Sequence, residues 1–150
     1  MSPLPTLFDL SSRVAVVTGG AGLLGTEFCR TLSAAGASVV VADLDINGAR
    51  SVADSITRDF STPISKSRVV AIQTDVTDKS STKDMVDMTI RQFGRLDILV
   101  NSAVLDPKFD PAHGKHVYAF EDFPLEAWNQ AIEVNLTGAF LCSQAVVIPM

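Results

Sequence analysis

Apolar residues in this chain fall into two kinds of pattern. Short, nearly unbroken apolar runs occupy residues 14–17, 38–42, 69–72 and 97–100. None alternates in and out as a strand wetted on one face would, so each reads as a strand of a parallel sheet covered on both faces. Between them the apolar positions recur at helical spacing: Leu24, Phe28 and Leu32; Ala49, Ala53, Ile56 and Phe60; Val86, Ile90 and Phe93. Gly36 and Gly94 follow the first and third of these groups, where a left-handed helix cap takes glycine. Repeated strand–helix–strand order predicts an α/β fold with a doubly wound parallel sheet and right-handed crossovers. Residues 125–150 predict one long helix, with Trp128, Ile132, Ala139, Cys142 and Val146 on its apolar face and Gly138 permitting close packing. Four strands ending on an uncapped helix make an incomplete three-layer αβα sandwich. We therefore expect residues 1–150 to be a single domain truncated at its C-terminus. Residues 104–124, with three prolines and one glycine, form the one long irregular stretch and a candidate substrate loop.

Composition narrows the class. A chain of 150 residues that is 47% hydrophobic can bury one core. Its net charge of −5, with no run of Lys or Arg, argues against nucleic acid or an anionic membrane as partner. No 18-residue apolar run is present, and the first residues lack the basic start and apolar segment of a signal peptide. Cys29 and Cys142 stand far apart and read as reduced core residues. A cytoplasmic protein acting on a small-molecule substrate is the expectation.

The candidate chemistry begins at residues 16–25, VVTGGAGLLG, where a strand gives way to a helix through Gly19, Gly20, Gly22 and Gly25. Glycines at such a junction serve a tight turn, the close approach of a pyrophosphate, and close helix–strand packing. The helix N-terminus supplies free N–H groups and partial positive charge to the anion. Asp43, at the end of the second strand, is placed to accept ribose hydroxyls and to repel a 2′-phosphate. Neither the glycine loop nor Leu44 supplies a Lys or Arg to offset that repulsion, which favours NAD over NADP. This is a Rossmann-type arrangement.

The series TGGAGLLG at 18–25, ADLD at 42–45, DVTD at 75–78, LDILVNSA at 96–103 and VNLTGAF at 134–140 resembles the short-chain dehydrogenase/reductase family in order and spacing, from about residue 13 to residue 150. The resemblance implies an NAD-dependent oxidoreductase moving a hydride between nicotinamide and a secondary alcohol or ketone. It implies a cofactor set of Gly19, Gly22, Leu23, Leu24, Gly25, Asp43, Leu44, Asp75, Val76, Asn101 and Ala103. Within it, Asp75 and Val76 border the adenine, and Asn101 and Ala103 match the NNAG element beside the cofactor ribose. Asn135 matches the asparagine of the catalytic tetrad, where it supports a water linked to the lysine. A homo-oligomer is also implied.

The sequence departs from the family pattern in three places. The loop is TGxxGxxG, with Leu23 where TGxxxGxG has glycine, and Val104 replaces the glycine of NNAG. The serine and Tyr-x-x-x-Lys of the family are not found after Asn135; the one tyrosine, Tyr118, precedes it and is followed four residues on by Asp122. We therefore expect the chain to be the cofactor-binding part of a parent enzyme and inactive alone, with a non-catalytic nucleotide-binding module as the alternative. A methyltransferase on a similar sheet also places an acid after its second strand, but the NSA and VNLTG elements argue against it. His113 and His116 lack a third ligand at metal-site spacing, and Asp106, Asp110, Glu121 and Asp122 read as a solvated acidic loop, so no metal is expected.

Overall fold

The computed structural model describes residues 8–59, 68–106 and 119–150. Phe60, Asp110, His113, His116 and Tyr118 lie outside them. Four parallel strands, β1 (Val14–Thr18), β2 (Ser38–Asp43), β3 (Val69–Gln73) and β4 (Ile98–Asn101), form one sheet in the order β3-β2-β1-β4. Each begins and ends within a residue of the run that predicts it. Val16 pairs with Val40 on one side and Leu99 on the other, which sets the register. The chain runs β1, β2, β3 in one direction and then crosses back to place β4 on the far side of β1. In such a sheet the crevice at the strand reversal, beyond the carboxyl ends, receives ligands.

The strands β1 and β2 are buried on both faces. One face packs Val17, Val39 and Val41 against α1 (Leu23–Ala34) and α2 (Ile46–Asp59), through Cys29, Ala49, Ala53 and Ile56. The other packs Val16, Val40, Ala42 and Ile72 against α3 (Lys79–Phe93), through Met85 and Val86, and against Val146. α3 has a complete set of end signals. The Asp78 carboxylate accepts from the Ser80 N–H at 2.8 Å, and Gly94 closes the other end at φ +77°.

Two expectations are corrected. The inner stripe of α1 is not Leu24, Phe28 and Leu32 but Gly25, Cys29 and Ser33, one residue further on. Leu24 and Phe28 are exposed, and Leu32 reaches the core only partly. The cause is a close approach: a Cβ on Gly25 would stand 2.0 Å from the Gly19 carbonyl oxygen, so the seam admits only small side chains. The helix expected over residues 125–150 runs without a break to Val146, but its middle is π-helical: α4 (Leu125–Ile132) passes through Glu133–Gly138 into α5 (Ala139–Val146). Its apolar face divides there. Trp128 and Ile132 on α4 are exposed, whereas Cys142 and Val146 on α5 are buried against the sheet.

Candidate dinucleotide site

The loop from β1 to α1 turns at Gly19, whose φ of +63° disfavours any side chain. A Cβ there would also stand 2.6 Å from the Cα of Ala103, so the β1 and β4 loops touch backbone to backbone. Thr18 locks this contact. Its hydroxyl, fully buried, accepts from the Ser102 and Ala103 N–H groups at 3.2 and 3.3 Å and lies 3.4 Å from the Val100 carbonyl to which it donates.

Three successive loop amides are then satisfied internally. Gly20 N–H donates to the Ala42 carbonyl at 3.1 Å, Ala21 N–H to Asp43 Oδ2 at 2.9 Å, and Gly22 N–H to the Gly19 carbonyl at 3.0 Å. Gly22 is the N-cap of α1 and carries no side-chain cap; its φ of −72° is ordinary, so its lack of a side chain answers to space rather than to strain. The next three amides, of Leu23, Leu24 and Gly25, have no acceptor among the described residues. A helix start left uncapped, with free N–H groups beside an open glycine, suits an anion. The side chains of Leu23 and Leu24 are 89% and 65% exposed, so what these two residues bring to the site is their backbone.

A cleft of about 280 Å³ opens at this end of the sheet, lined by Gly19 and Gly22, by Asp43 and Leu44, by Thr74, Asp75 and Val76, by residues 102–105, and by Val134. Ten of those twelve positions come from the loops that follow β1, β2, β3 and β4, because parallel strands deliver all their carboxyl ends to one edge. The Asp43 carboxylate also accepts from the Asp45 N–H at 3.0 Å through Oδ1. Asp75 Oδ1 takes the Thr77 N–H at 2.9 Å and hydroxyl at 2.7 Å, which fixes the acid at the mouth of α3. Val76 is buried against Gly138, where an added Cβ would come within 2.7 Å of the valine Cγ2. Among the described residues no Lys or Arg lines the cleft.

Of the residues read from sequence, the structure gathers Gly19, Gly22, Asp43, Leu44, Asp75, Val76 and Ala103 around the cleft. Gly25 lies behind it in the α1 seam. Asn101 stands aside: its Nδ2 donates to Ser143 Oγ at 3.2 Å and ties the end of β4 to α5. Asn135 sits in the π-helical stretch and uses both amide atoms on Leu105, accepting its N–H at 2.8 Å and donating to its carbonyl at 3.1 Å. It thus holds the loop whose Val104 and Leu105 form the cleft's apolar wall together with Val134 of the π-helical stretch. A π-turn inside a helix often marks a functional position.

Sequence reasoning assigned no role to Thr18, Thr74, Ser102, Leu105 or Val134. For Thr18 a signal exists in the threonine that opens the glycine motif; the others follow from tertiary placement. Burial pushes the thiols of Cys29 and Cys142 up to about 12 and about 11, so neither is a nucleophile at neutral pH. Among the described residues no group of three metal-ligating side chains forms, and no helix is long and apolar enough to cross a membrane.

An α/β sheet with an uncapped glycine-bounded helix start and an acid at the end of β2 defines the dinucleotide-binding class of fold. Known proteins narrow the class. The family profile described as short chain dehydrogenase matches residues 13–150, and the chain belongs to that family. It is 33% identical over 141 residues to the trans-4-hydroxycyclohexanecarboxylate dehydrogenase of Sinomonas cyclohexanicum, covering 94% of this chain and 51% of that protein. It is 32% identical over 139 residues to the D-threitol dehydrogenase of Mycolicibacterium smegmatis, covering 93% and 48%. The crystal structure of a short-chain type dehydrogenase/reductase from Mycobacterium marinum superposes with a TM-score of 0.82 at 31% identity, covering 99% of this chain and 54% of that one. The chain therefore spans about half the length of these relatives.

Proposed function

We propose that the chain is the dinucleotide-binding part of an NAD-dependent oxidoreductase that exchanges a hydride between nicotinamide and a secondary alcohol or ketone. The observation that carries this reading is the trio of amides at Leu23, Leu24 and Gly25, which have no acceptor among the described residues and follow the Ala21 N–H that the Asp43 carboxylate accepts. The pyrophosphate would lie on those amides, over Gly22, and Asp43 would take the ribose. The adenine would rest between Leu44, Asp75 and Val76, and the nicotinamide would lie toward Ala103, Val104 and Val134. The bound cofactor supplies the hydride chemistry, and the protein supplies position.

Asn135 belongs to the reactive end through Leu105, by setting where the nicotinamide-side wall stands. Relatives named for a hydroxycyclohexanecarboxylate and for D-threitol support a small hydroxylated substrate. NAD is favoured over NADP because a 2′-phosphate would meet Asp43 beside Asp45, with no cation among the described residues that line the cleft. At an effective dielectric constant of about 20, two unit charges about 4 Å apart repel by about 4 kcal/mol, and a third of that is already tenfold in affinity.

The test is fluorescence titration of the protein, expressed from its full reading frame, with NADH and NADPH. NADH is expected to bind at least tenfold tighter, and Asp43→Ser to narrow the ratio. Equal affinities in the unmodified protein would overturn the preference, and binding of neither would overturn the cofactor. Turnover across secondary alcohols then separates an oxidoreductase from a module that only binds.

A further inference from the structure

Ala21 is the one loop amide whose acceptor is a side chain. Gly20 and Gly22 donate to main-chain carbonyls, which no substitution removes, whereas Ala21 donates to Asp43 Oδ2 at 2.9 Å. The other oxygen of the same carboxylate holds the Asp45 N–H at 3.0 Å, at the turn into α2. Asp43 is itself held by the sheet: it pairs with Gln73 on β3, and its carbonyl accepts the Thr74 N–H at 2.8 Å. One carboxylate on a rigid strand end thus ties the glycine loop to the β2–α2 turn across the mouth of the cleft.

We propose that Asp43 is a positioning residue for the glycine loop, fixing through Ala21 the placement of the free amides at Leu23, Leu24 and Gly25. This rests on the cofactor reading above and adds to it a role for Asp43 that needs no ribose. The two roles are compatible, because each carboxylate oxygen has two lone pairs and each uses one here. Bonds from N–H to a carboxylate are also the stronger kind. Donors held in place before the anion arrives do not have to be ordered by it, which is how preorganisation raises affinity. Selectivity for NAD and order of the phosphate loop therefore run through a single side chain. Removing it costs affinity for every ligand that uses the loop, so Asp43→Ala does not simply convert the site to NADP.

An NADH analogue whose adenosine ribose is 2′,3′-dideoxy tests this, because it offers Asp43 no hydroxyl. Asp43→Ala is expected to weaken the analogue at least tenfold. Loss of NADH affinity with the analogue's affinity unchanged within twofold would overturn the proposal and leave Asp43 a ribose acceptor only. Thermal melting of the variant is measured alongside, so that affinity is compared between folded proteins. Should Asp43→Ala fail to fold, Asp43→Asn takes its place. With one acceptor oxygen instead of two, it is expected to speed amide exchange at Ala21 or Asp45 in the ligand-free protein. Unchanged exchange at both amides would overturn the clamp. If the unmodified protein binds neither NADH nor the analogue, the cofactor reading falls, while the ligand-free exchange still decides the clamp.

Discussion

Gly22 and Gly25 stand three residues apart and are glycines for different reasons. A Cβ on Gly22 would meet only the Gly19 carbonyl, at 3.2 Å, and its backbone is in an extended conformation that any residue adopts. A Cβ on Gly25 would stand 2.0 Å from that same oxygen and 2.9 Å from the Cα of Gly20, with backbone on every side. Gly25→Ala is thus expected to destabilise the protein by about 3 kcal/mol, as overpacking at a rigid seam does. Gly22→Val is expected to leave the melting temperature nearly unchanged and to weaken NADH binding by well over tenfold. Melting curves and NADH titrations of the two variants check this; the reverse assignment of effects would show that Gly22 is only a turn. Both glycines are legible in the sequence as a motif, but not their division of labour, which depends on what lies opposite each Cα. The α1 stripe is hidden in the sequence for the same reason. Leucine and phenylalanine outweigh glycine and serine in any periodicity argument, yet only the small set fits where helix and sheet nearly touch.

At the scale of elements, the strand ends are joined by side chains that the hydrophobic pattern does not register. Asp97, just ahead of β4, accepts from the Val14 N–H at 2.9 Å and from Arg13 and Arg95, pinning β1 to β4 at the edge away from the cleft. The Arg95 guanidinium, ahead of the Val14 amide and Arg13, holds this carboxyl well below the usual carboxylate range, against the opposing effect of its burial. A depressed native pKa stabilises the fold at every pH above the unfolded value near 4, and that stabilisation is lost as pH falls through the native one. Both arginines are half exposed, so solvent screening leaves the ion pairs only a small part of their unscreened strength. Asp97→Asn should therefore lower the melting temperature by a constant few degrees between pH 8 and 5, with the gap closing below about pH 4. A gap independent of pH down to the acid limit would show that the charge contributes nothing. The π-helical stretch was equally illegible. Residues 133–138 have ordinary helical periodicity, and the extra backbone residue in that turn accompanies the pairing of Asn135 with Leu105 and of Gly138 with Val76.

For the whole molecule the sequence was most informative where the physics is repetitive: four apolar runs made four strands of one parallel sheet. It was least informative where one surface must meet another. Along residues 120–150, Phe120, Leu125, Trp128, Leu136, Phe140, Val147 and Ile148 are exposed, Ile148 at 92%. β4 is an edge strand with only partly buried residues. Monomeric soluble proteins seldom present so many large apolar groups together, and an open strand edge adds unpaired N–H and C=O groups that recruit another chain. Burying each such side chain is worth about 2 kcal/mol, against a typical total stability of about 5–15 kcal/mol, so even partial cover decides whether this half of the sheet stays folded. Residues 1–150 produced alone are therefore expected to self-associate and to lack a cooperative melt. They are also expected to show no alcohol-dependent reduction of NAD, since the Asn135 amide, paired on both atoms with Leu105, is no base to take the proton the alcohol must lose. Light scattering, circular dichroism melting and an absorbance assay across secondary alcohols check the three parts. A soluble monomer with a sharp melt would show that the exposed apolar face of α4 and α5 is tolerated in water. Turnover that disappears on Asn135→Ala would mean that the loop Asn135 holds through Leu105 brings a proton acceptor into the cleft.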